Sequence, residues 1–457
     1  MNPCMLSGPF GRVQTVGRSS VVKSFPFKTA VVLFASLAFG LTAIESQVAL
    51  RPHHPANVPD EYVATPSGYF HPSCVRQLAE GDTLLARGDF LQHRDGTLEG
   101  VQACAYPRYN ARGEIVDATS ERTPTINGWV EYFDATTSSS YGVLYSYWTV
   151  PSNPTSNDGQ ILYFFNGLED VNDTVSIVQP VLAWNGSTMV SNAWSIASWN
   201  CCPSGITWHS SPVAVSSGDA IWGITGTNCG GQESCSTWDI ITEDLSSNKS
   251  TTLSNTPSEG QTFNWAFPAV LEVYNVIQCS DYPPNGSETF YNTALANYGD
   301  VQIPNPGWTY VDNASGETPQ CGYSGQTWTT QGISYTAEAL KFSTLPQASA
   351  PTYTITHAWG PETCGNIEYG YNNPCYEIYT ATVKVAQGET LYVNGSAVSG
   401  TTYTDSVQEN WGTGGCGYYY YYGEYYICSW YATPSTLLVY ATEPGDIPSN
   451  TIAVDFY

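Results

Sequence analysis

Thr174-Val175-Ser176-Ile177-Val178-Gln179-Pro180-Val181-Leu182-Ala183-Trp184 is an apolar run in which Val175, Ile177, Gln179 and Val181 share one side of a strand of period two. Gln179 is the polar exception on that side. An amide in such a place needs partners, because leaving it buried and unsatisfied costs about 1 to 3 kcal/mol. Pro268-Ala269-Val270-Leu271-Glu272-Val273-Tyr274-Asn275-Val276 has the same form and sets Glu272 on one side with Val270, Tyr274 and Val276. Burial disfavours the charged form of a carboxyl. An interior strand would therefore raise Glu272 towards the working range of a general acid or base. On a half-exposed strand the same Glu would be one polar residue among others.

Around these two runs, short aromatic and β-branched stretches alternate with Gly, Asn, Ser and Pro. Strands are expected at Gly128–Phe133, Tyr141–Val150, Gln160–Asn166, Ala193–Trp199, Asp219–Thr225, Ser236–Thr242 and Tyr298–Ile303. Turns at Gly142, Gly159, Asn185-Gly186, Ser217-Gly218 and Gly260 punctuate them. Many short strands with almost no helical periodicity predict an all-β sandwich.

The flanks differ from this body. Residues 1–43 join a basic stretch (Arg12, Arg18, Lys23, Lys28) to the apolar run Ala30–Ala43, the order of a secretory signal peptide. That run is shorter than the roughly 20 residues of a membrane span. Residues 44–126 hold Arg51, Arg76, Arg87, Arg94, Arg108, Arg112 and Arg122, with Cys74 and Cys104, and read as a pro-segment or accessory piece with a short helix around Gln77–Arg87. Residues 127–345 form the sandwich. The Ser- and Pro-rich stretch Ser343–Pro351 then leads into a smaller β domain at 346–457. Its block Tyr418–Tyr422 suits stacking on glycans as well as local packing in a hairpin.

The chain has 457 residues and a formal net charge of −26 at pH 7. From Asn127 onward the only basic residues besides His are Lys249, Lys341 and Lys384, against 29 acidic ones. Nucleic acid and anionic membrane are poor partners for such a surface, which suits an acidic medium better. Twelve cysteines beyond Cys4 predict disulfides in an exported chain. Pairings expected are Cys74–Cys104, Cys279–Cys321, Cys364–Cys375 and Cys416–Cys428, with Cys201 and Cys202 taking Cys229 and Cys235 in either order. No zinc-ligand spacing occurs, and neither metal nor cofactor is expected.

Read in order, Val178-Gln179-Pro180, Asn192-Ala193-Trp194, Pro212–Ile221, Trp238–Leu245, Leu271-Glu272-Val273-Tyr274 and Ala296–Val301 follow one sequence of pieces. That order resembles the eqolisin family of glutamic peptidases over about residues 127–305. The resemblance implies a concanavalin-like antiparallel sandwich and a metal-independent acid endopeptidase acting on polypeptides. Carried over, Gln179 and Glu272 are the catalytic pair. Glu272 takes a proton from water and returns it to the leaving amine, and the Gln179 amide supports the oxyanion. Trp148, Trp184, Trp194 and Tyr274 would line the groove or, as commonly, fill the core. The family's usual Trp-x-Gly is Phe165-Asn166-Gly167 here, and Ser195 stands where an acid usually follows the aromatic. The resemblance also makes residues 44–126 a removable segment, with processing near Thr123–Asn127; the product is expected to be a secreted monomer.

Two other readings fit the residues. One is a carbohydrate-active or carbohydrate-binding sandwich, which Glu169, Asp170 or Asp173 opposite Glu272 at about 5 to 9 Å would favour. A non-catalytic surface protein would fit the Asn-Gly-Ser sites at Asn185, Asn285 and Asn394.

Overall fold

The computed structural model describes residues 55–85, 88–116, 128–186, 192–313, 319–330, 335–359, 376–410, 420–421, 424–425, 435–443 and 446–456, all within the unit Leu50–Tyr457. The expected signal peptide, the processing stretch Thr123–Asn127, most of the tyrosine block and the pairs Cys364–Cys375 and Cys416–Cys428 lie outside the described residues. Among the described residues no helix is long and apolar enough to cross a membrane.

The protein is all-β. A nine-stranded sheet runs in the order Thr309–Asp312, Trp129–Thr136, Trp265–Tyr274, Ile161–Asp170, Asp173–Trp184, Trp194–Cys201, Thr207–His209 and Val75–Gln77, with Val213–Val215 also paired to Trp194–Cys201. A seven-stranded antiparallel sheet runs Lys249–Pro257, Thr237–Asp244, Ala220–Thr227, Tyr141–Thr149, Ser287–Asn297, Tyr335–Lys341 and Ser324–Thr330. Period two divides the central strands of the larger sheet between two cores. Val130, Leu162, Phe164, Val178, Leu182, Ile196 and Leu271 face the smaller sheet and build the core between the two. Trp129, Tyr163, Phe165, Val181, Trp199, Phe267, Val270 and Tyr274 face the other way and form a second aromatic core.

That outward face would cost the fold dearly if left to water, since each large side chain buried contributes about 1.5 to 3 kcal/mol. The N-terminal segment covers it. Val58, Tyr62, Ala64, Tyr69, Phe70, Cys74 and Tyr109 belong to the same core. The segment folds as a four-stranded sheet (Val63–Thr65, Gly68–Phe70, Arg108–Tyr109, Ile115–Val116) and a three-stranded one (Thr83–Leu85, Phe90–Gln92, Leu98–Gly100). Cys74–Cys104 closes it on itself across a separation of 30 residues, worth roughly 3 to 4 kcal/mol of chain entropy. Its strand Val75–Gln77 joins the large sheet in parallel beside Thr207–His209.

Among the described residues of the stretch expected to be helical, Gln77–Leu85, no helix forms. Gly81 has φ +89 and Asp82 N–H donates to the Ala79 carbonyl, so the stretch turns between the strands Val75–Gln77 and Thr83–Leu85. Tyr298–Ile303 is likewise not a strand. The Asn297 side chain accepts from Gly299 and Val301 N–H and holds it as a turn after Ser287–Asn297. Cys279–Cys321 and Cys74–Cys104 pair as expected, whereas Cys201 bonds Cys202 and Cys229 bonds Cys235. Neighbours in sequence thus satisfy each other instead of crossing between the two pairs.

Beyond Pro351 a three-stranded sheet (Thr352–Trp359, Tyr376–Lys384, Thr402–Asn410) packs on a four-stranded one (Ser396–Ala397, Thr390–Val393, Ser435–Thr442, Ile452–Phe456). They enclose their own small core of Ala381, Val383, Leu391, Val393, Leu437, Val439 and Val454.

Candidate active site

Glu272 and Gln179 lie on the outward face of the large sheet, on the two strands that flank Ile161–Asp170. Both are fully buried. Glu272 is in register with Tyr163 on one side and Trp129 on the other. Its Oε2 accepts the Trp129 indole N–H at 3.1 Å, and its Oε1 accepts the Tyr274 hydroxyl two residues along the same strand. The two donors fix the carboxyl in orientation while leaving it out of water.

Burial is the main influence and raises Glu272 from 4.5 to about 8; the bonds from Tyr274 and Trp129 and the Arg108 charge pull it down, and Glu169 pushes it further up. Gly128 belongs to the same corner. Its φ is +99, and a Cβ there would come within 3.2 Å of Ala111 Cβ, 3.3 Å of Tyr274 Oη and 3.4 Å of Glu272 Cγ, so the backbone passes where a side chain would crowd the carboxyl.

The Gln179 amide donates from Nε2 to the backbone carbonyl of Pro66 at 2.7 Å. Its Oε1 has no hydrogen-bond partner among the described residues. Gly167 makes room beside it, where a Cβ would stand 3.4 Å from Gln179 Cβ and 3.1 Å from the Val178 carbonyl. Between the two strands, Tyr163 donates its hydroxyl to the Ala64 carbonyl at 3.0 Å. A sheet-borne amide and a sheet-borne phenol therefore hold two carbonyls of one short stretch, Ala64–Pro66.

Of the four aromatics expected at the groove, only Tyr274 shares this face. Trp148, Trp184 and Trp194 are buried in the core between the sheets, so on a groove over Glu272 they have no surface to offer. For Trp184 the reason is parity, since it stands five residues from Gln179 on the same strand. The aromatics that do lie on this face beside Glu272 are Trp129, which donates to it, and Tyr163, in register with it. Trp129 heads a stretch already read as a strand, and the register that brings it to Glu272 depends on strand order.

A second carboxyl also lies on this face. Glu169 is paired in register with Trp265, is buried, and is raised from 4.5 to about 8 by burial, with Arg108 opposing and Asp170 adding. Asn166 turns inward and donates to the Gly223 carbonyl of the other sheet at 3.2 Å, which makes it a tie between sheets. Ser195 is buried between Ala183 and Ala214 in the register. Among the described residues no group of three or more His, Cys, Asp and Glu side chains is gathered to hold a metal ion.

No family model and no curated protein matches the chain. Solved structures similar to part of it include scytalido-glutamic peptidase with a peptide-based transition state analog, at 12% identity and a TM-score of 0.34, covering 47% of this chain and 98% of that one. Another is SCP-B, a member of the eqolisin family of peptidases, in complex with the tripeptide Ala-Ile-His, at 12% identity and a TM-score of 0.31, with the same coverage. Likeness at this level assigns neither substrate nor catalytic residues.

Proposed function

We propose that the chain is a secreted acid endopeptidase in which Glu272 and Gln179 act on water and a peptide carbonyl without a metal. The observation that carries this reading is that the Gln179 amide already holds a peptide carbonyl, on the sheet face where a buried carboxyl is fixed by two donors. A carbonyl bound in that way is polarised, and the same N–H strengthens its hold as negative charge grows on the oxygen. Glu272, once ionised, takes the proton of the attacking water and returns it to the leaving amine. Tyr274 and Trp129 position it.

The pair is at rest in the arrangement described. Burial holds Glu272 protonated up to about pH 8, and a protonated carboxyl is no base. Removal of residues 44–126 would admit water, remove the main cause of the upward shift and let Glu272 ionise in acid. In this reading residues 127–345 are the catalytic sandwich and 346–457 an accessory domain with a glycan-binding role through its tyrosines.

Glu169 supports a second reading, a glycosidase with Glu169 and Glu272 as its two carboxyls, because both lie on one face and Glu169 adds to the upward push on Glu272. Product analysis separates the two. Incubation of the chain freed of residues 44–126 with a glycoprotein in acid should generate new peptide amino termini and no new reducing ends. Reducing ends without amino termini would reverse the choice.

A further inference from the structure

The four-stranded sheet beyond Pro351 carries an apolar patch on the side away from its core. Leu391, Val393, Leu437 and Val439 fill that core, so by parity Tyr392, Leu438 and Tyr440 face outward. Tyr392 stands opposite Tyr440 in the pairing of Thr390–Val393 with Ser435–Thr442, and the two rings are stacked with centroids 4.7 Å apart and planes 5° from parallel. Leu438, next to them, is 49% exposed. Three neighbouring side chains of this size leave apolar surface in water that a covering group would bury.

A turn opens onto this patch. Val393 pairs with Ser396, so Asn394 and Gly395 form a two-residue hairpin turn, with φ of +48 and +79. Asn394 is exposed and is fixed against Leu438 twice: its N–H donates to the Leu438 carbonyl at 2.8 Å, and its Oδ1 accepts the Leu438 N–H at 3.0 Å. Its Nδ2 has no acceptor among the described residues. Asn394-Gly395-Ser396 is also the acceptor pattern for an N-linked sugar. The two other Asn-Gly-Ser sites differ from it. Asn185 commits its Nδ2 to the Gln160 carbonyl at 2.9 Å and to Asn157 Oδ1 at 3.3 Å. Two positions before the asparagine, Asn394 has a ring in Tyr392, whereas Asn185 has Ala183 and Asn285 has Pro283.

We propose that Asn394 is an N-glycosylation site whose first sugar lies against Tyr392, Tyr440 and Leu438 and covers this face of the C-terminal domain. The donor is an oligosaccharide carried on a lipid diphosphate. Asn394 Nδ2 bonds to the anomeric carbon as the bond from that carbon to the diphosphate breaks; the nitrogen gives up one proton, and the lipid diphosphate is the leaving group. A sugar ring has an apolar C–H side and a hydroxyl rim. The first can bury the aromatic patch while the second stays in water, so the match is to rings that are half-exposed rather than enclosed. The proposal rests on export of the chain and on none of the peptidase chemistry.

The test uses the full chain made in a eukaryotic secretion host, behind its own residues 1–43 and separately behind a foreign leader, with peptide mass spectrometry reading the occupancy of each asparagine. Asn394 should be occupied in the exported chain, bare in Ser396→Ala and occupied again in Ser396→Thr. Hydrogen exchange across Thr390–Val393 and Ser435–Thr442 should be roughly fivefold faster in Ser396→Ala than in the parent, with Ser396→Thr matching the parent. With Tyr392→Ala already present, Ser396→Ala should change exchange little, because the ring beside Asn394 is gone. A bare Asn394 in chains exported by the foreign leader would overturn the site. Occupancy with exchange indifferent to Ser396→Ala, or raised equally with and without Tyr392, would overturn the seat on the patch. An occupied Asn394 in chains that only the foreign leader exports would uphold the site and remove the export reading instead.

Discussion

Raising the pH from about 4 to about 8 should destabilise this chain, because five buried carboxyls, Glu131 and four others, hold their protons more tightly folded than unfolded. Glu169, Glu272 and Glu288 are raised from 4.5 to about 8 and Glu338 to about 7, each with burial as the largest cause. A group whose pKa is higher in the folded state contributes its full stability below its unfolded value, and loses it as the pH climbs through the folded one. The window is therefore about pH 4.5 to 8. A rise from 4.5 to about 8 corresponds to about 5 kcal/mol, and the smaller rise of Glu338 to about 3 kcal/mol, if ionisation is forced without unfolding. Those four groups, protonated only when folded, give a slope of about 5 kcal/mol per pH unit in the middle of the window, and Glu131 adds to it. Against a typical total of 5 to 15 kcal/mol, even a fraction of that slope brings the folded state to its limit before pH 8. His209 works the other way: burial lowers its pKa, so its share is lost on acidification, but it is one group against five. Thermal unfolding followed by circular dichroism between pH 4 and 8 should show Tm falling as pH rises. Glu288→Gln with Glu338→Gln should flatten the fall, since neither amide titrates. A Tm that is level or rising over this range, with the Gln variants tracking the parent, would refute the reasoning.

Tyr274→Phe removes a hydrogen bond that favours ionised Glu272, so the acid limb of kcat/KM for the released enzyme should move to higher pH while KM changes little. Trp194→Ala should lower stability by roughly 3 to 5 kcal/mol, read by urea unfolding, and leave substrate preference unaltered, because Trp194 sits between the sheets. Gly128→Ala forces a side chain into φ +99 beside Glu272 and should cost roughly 1 to 3 kcal/mol, read as a lower denaturation midpoint.

Much of the fold was legible because period two is written plainly in the central strands. In Asp173–Trp184, Gln179 and Val181 do share a side, and in Trp265–Tyr274 so do Val270, Glu272 and Tyr274. Lys249–Pro257 and Ser324–Thr330 carry almost no such pattern. They are the edge strands of the smaller sheet and are largely exposed, so their Ser and Thr residues look like loop. Val276 falls beyond its strand's end at Tyr274 and packs against the other core. The individual candidates Glu272 and Gln179 could be singled out by the polarity of one position. Trp129, Tyr163 and the Pro66 turn could not, because their meeting depends on strand order and on a segment about 110 residues upstream of Gln179 folding back over the sheet. The cysteine pairs followed the same divide: Cys74–Cys104 and Cys279–Cys321 were readable as isolated couples, whereas the Cys201-Cys202 and Cys229/Cys235 cluster offered too many combinations.

The most direct test of the central claim is hydrolysis of an unfolded protein between about pH 2 and 7 by the chain freed of residues 44–126, beside Glu272→Gln and Gln179→Ala, with a chelator and a pepsin-type inhibitor present. Cleavage with an acid optimum that ignores both additives, disappears in Glu272→Gln and falls by roughly 10²–10³ in kcat in Gln179→Ala is the predicted result. Cleavage that survives in Glu272→Gln, or none at any pH once loss of the segment has been verified, would contradict it.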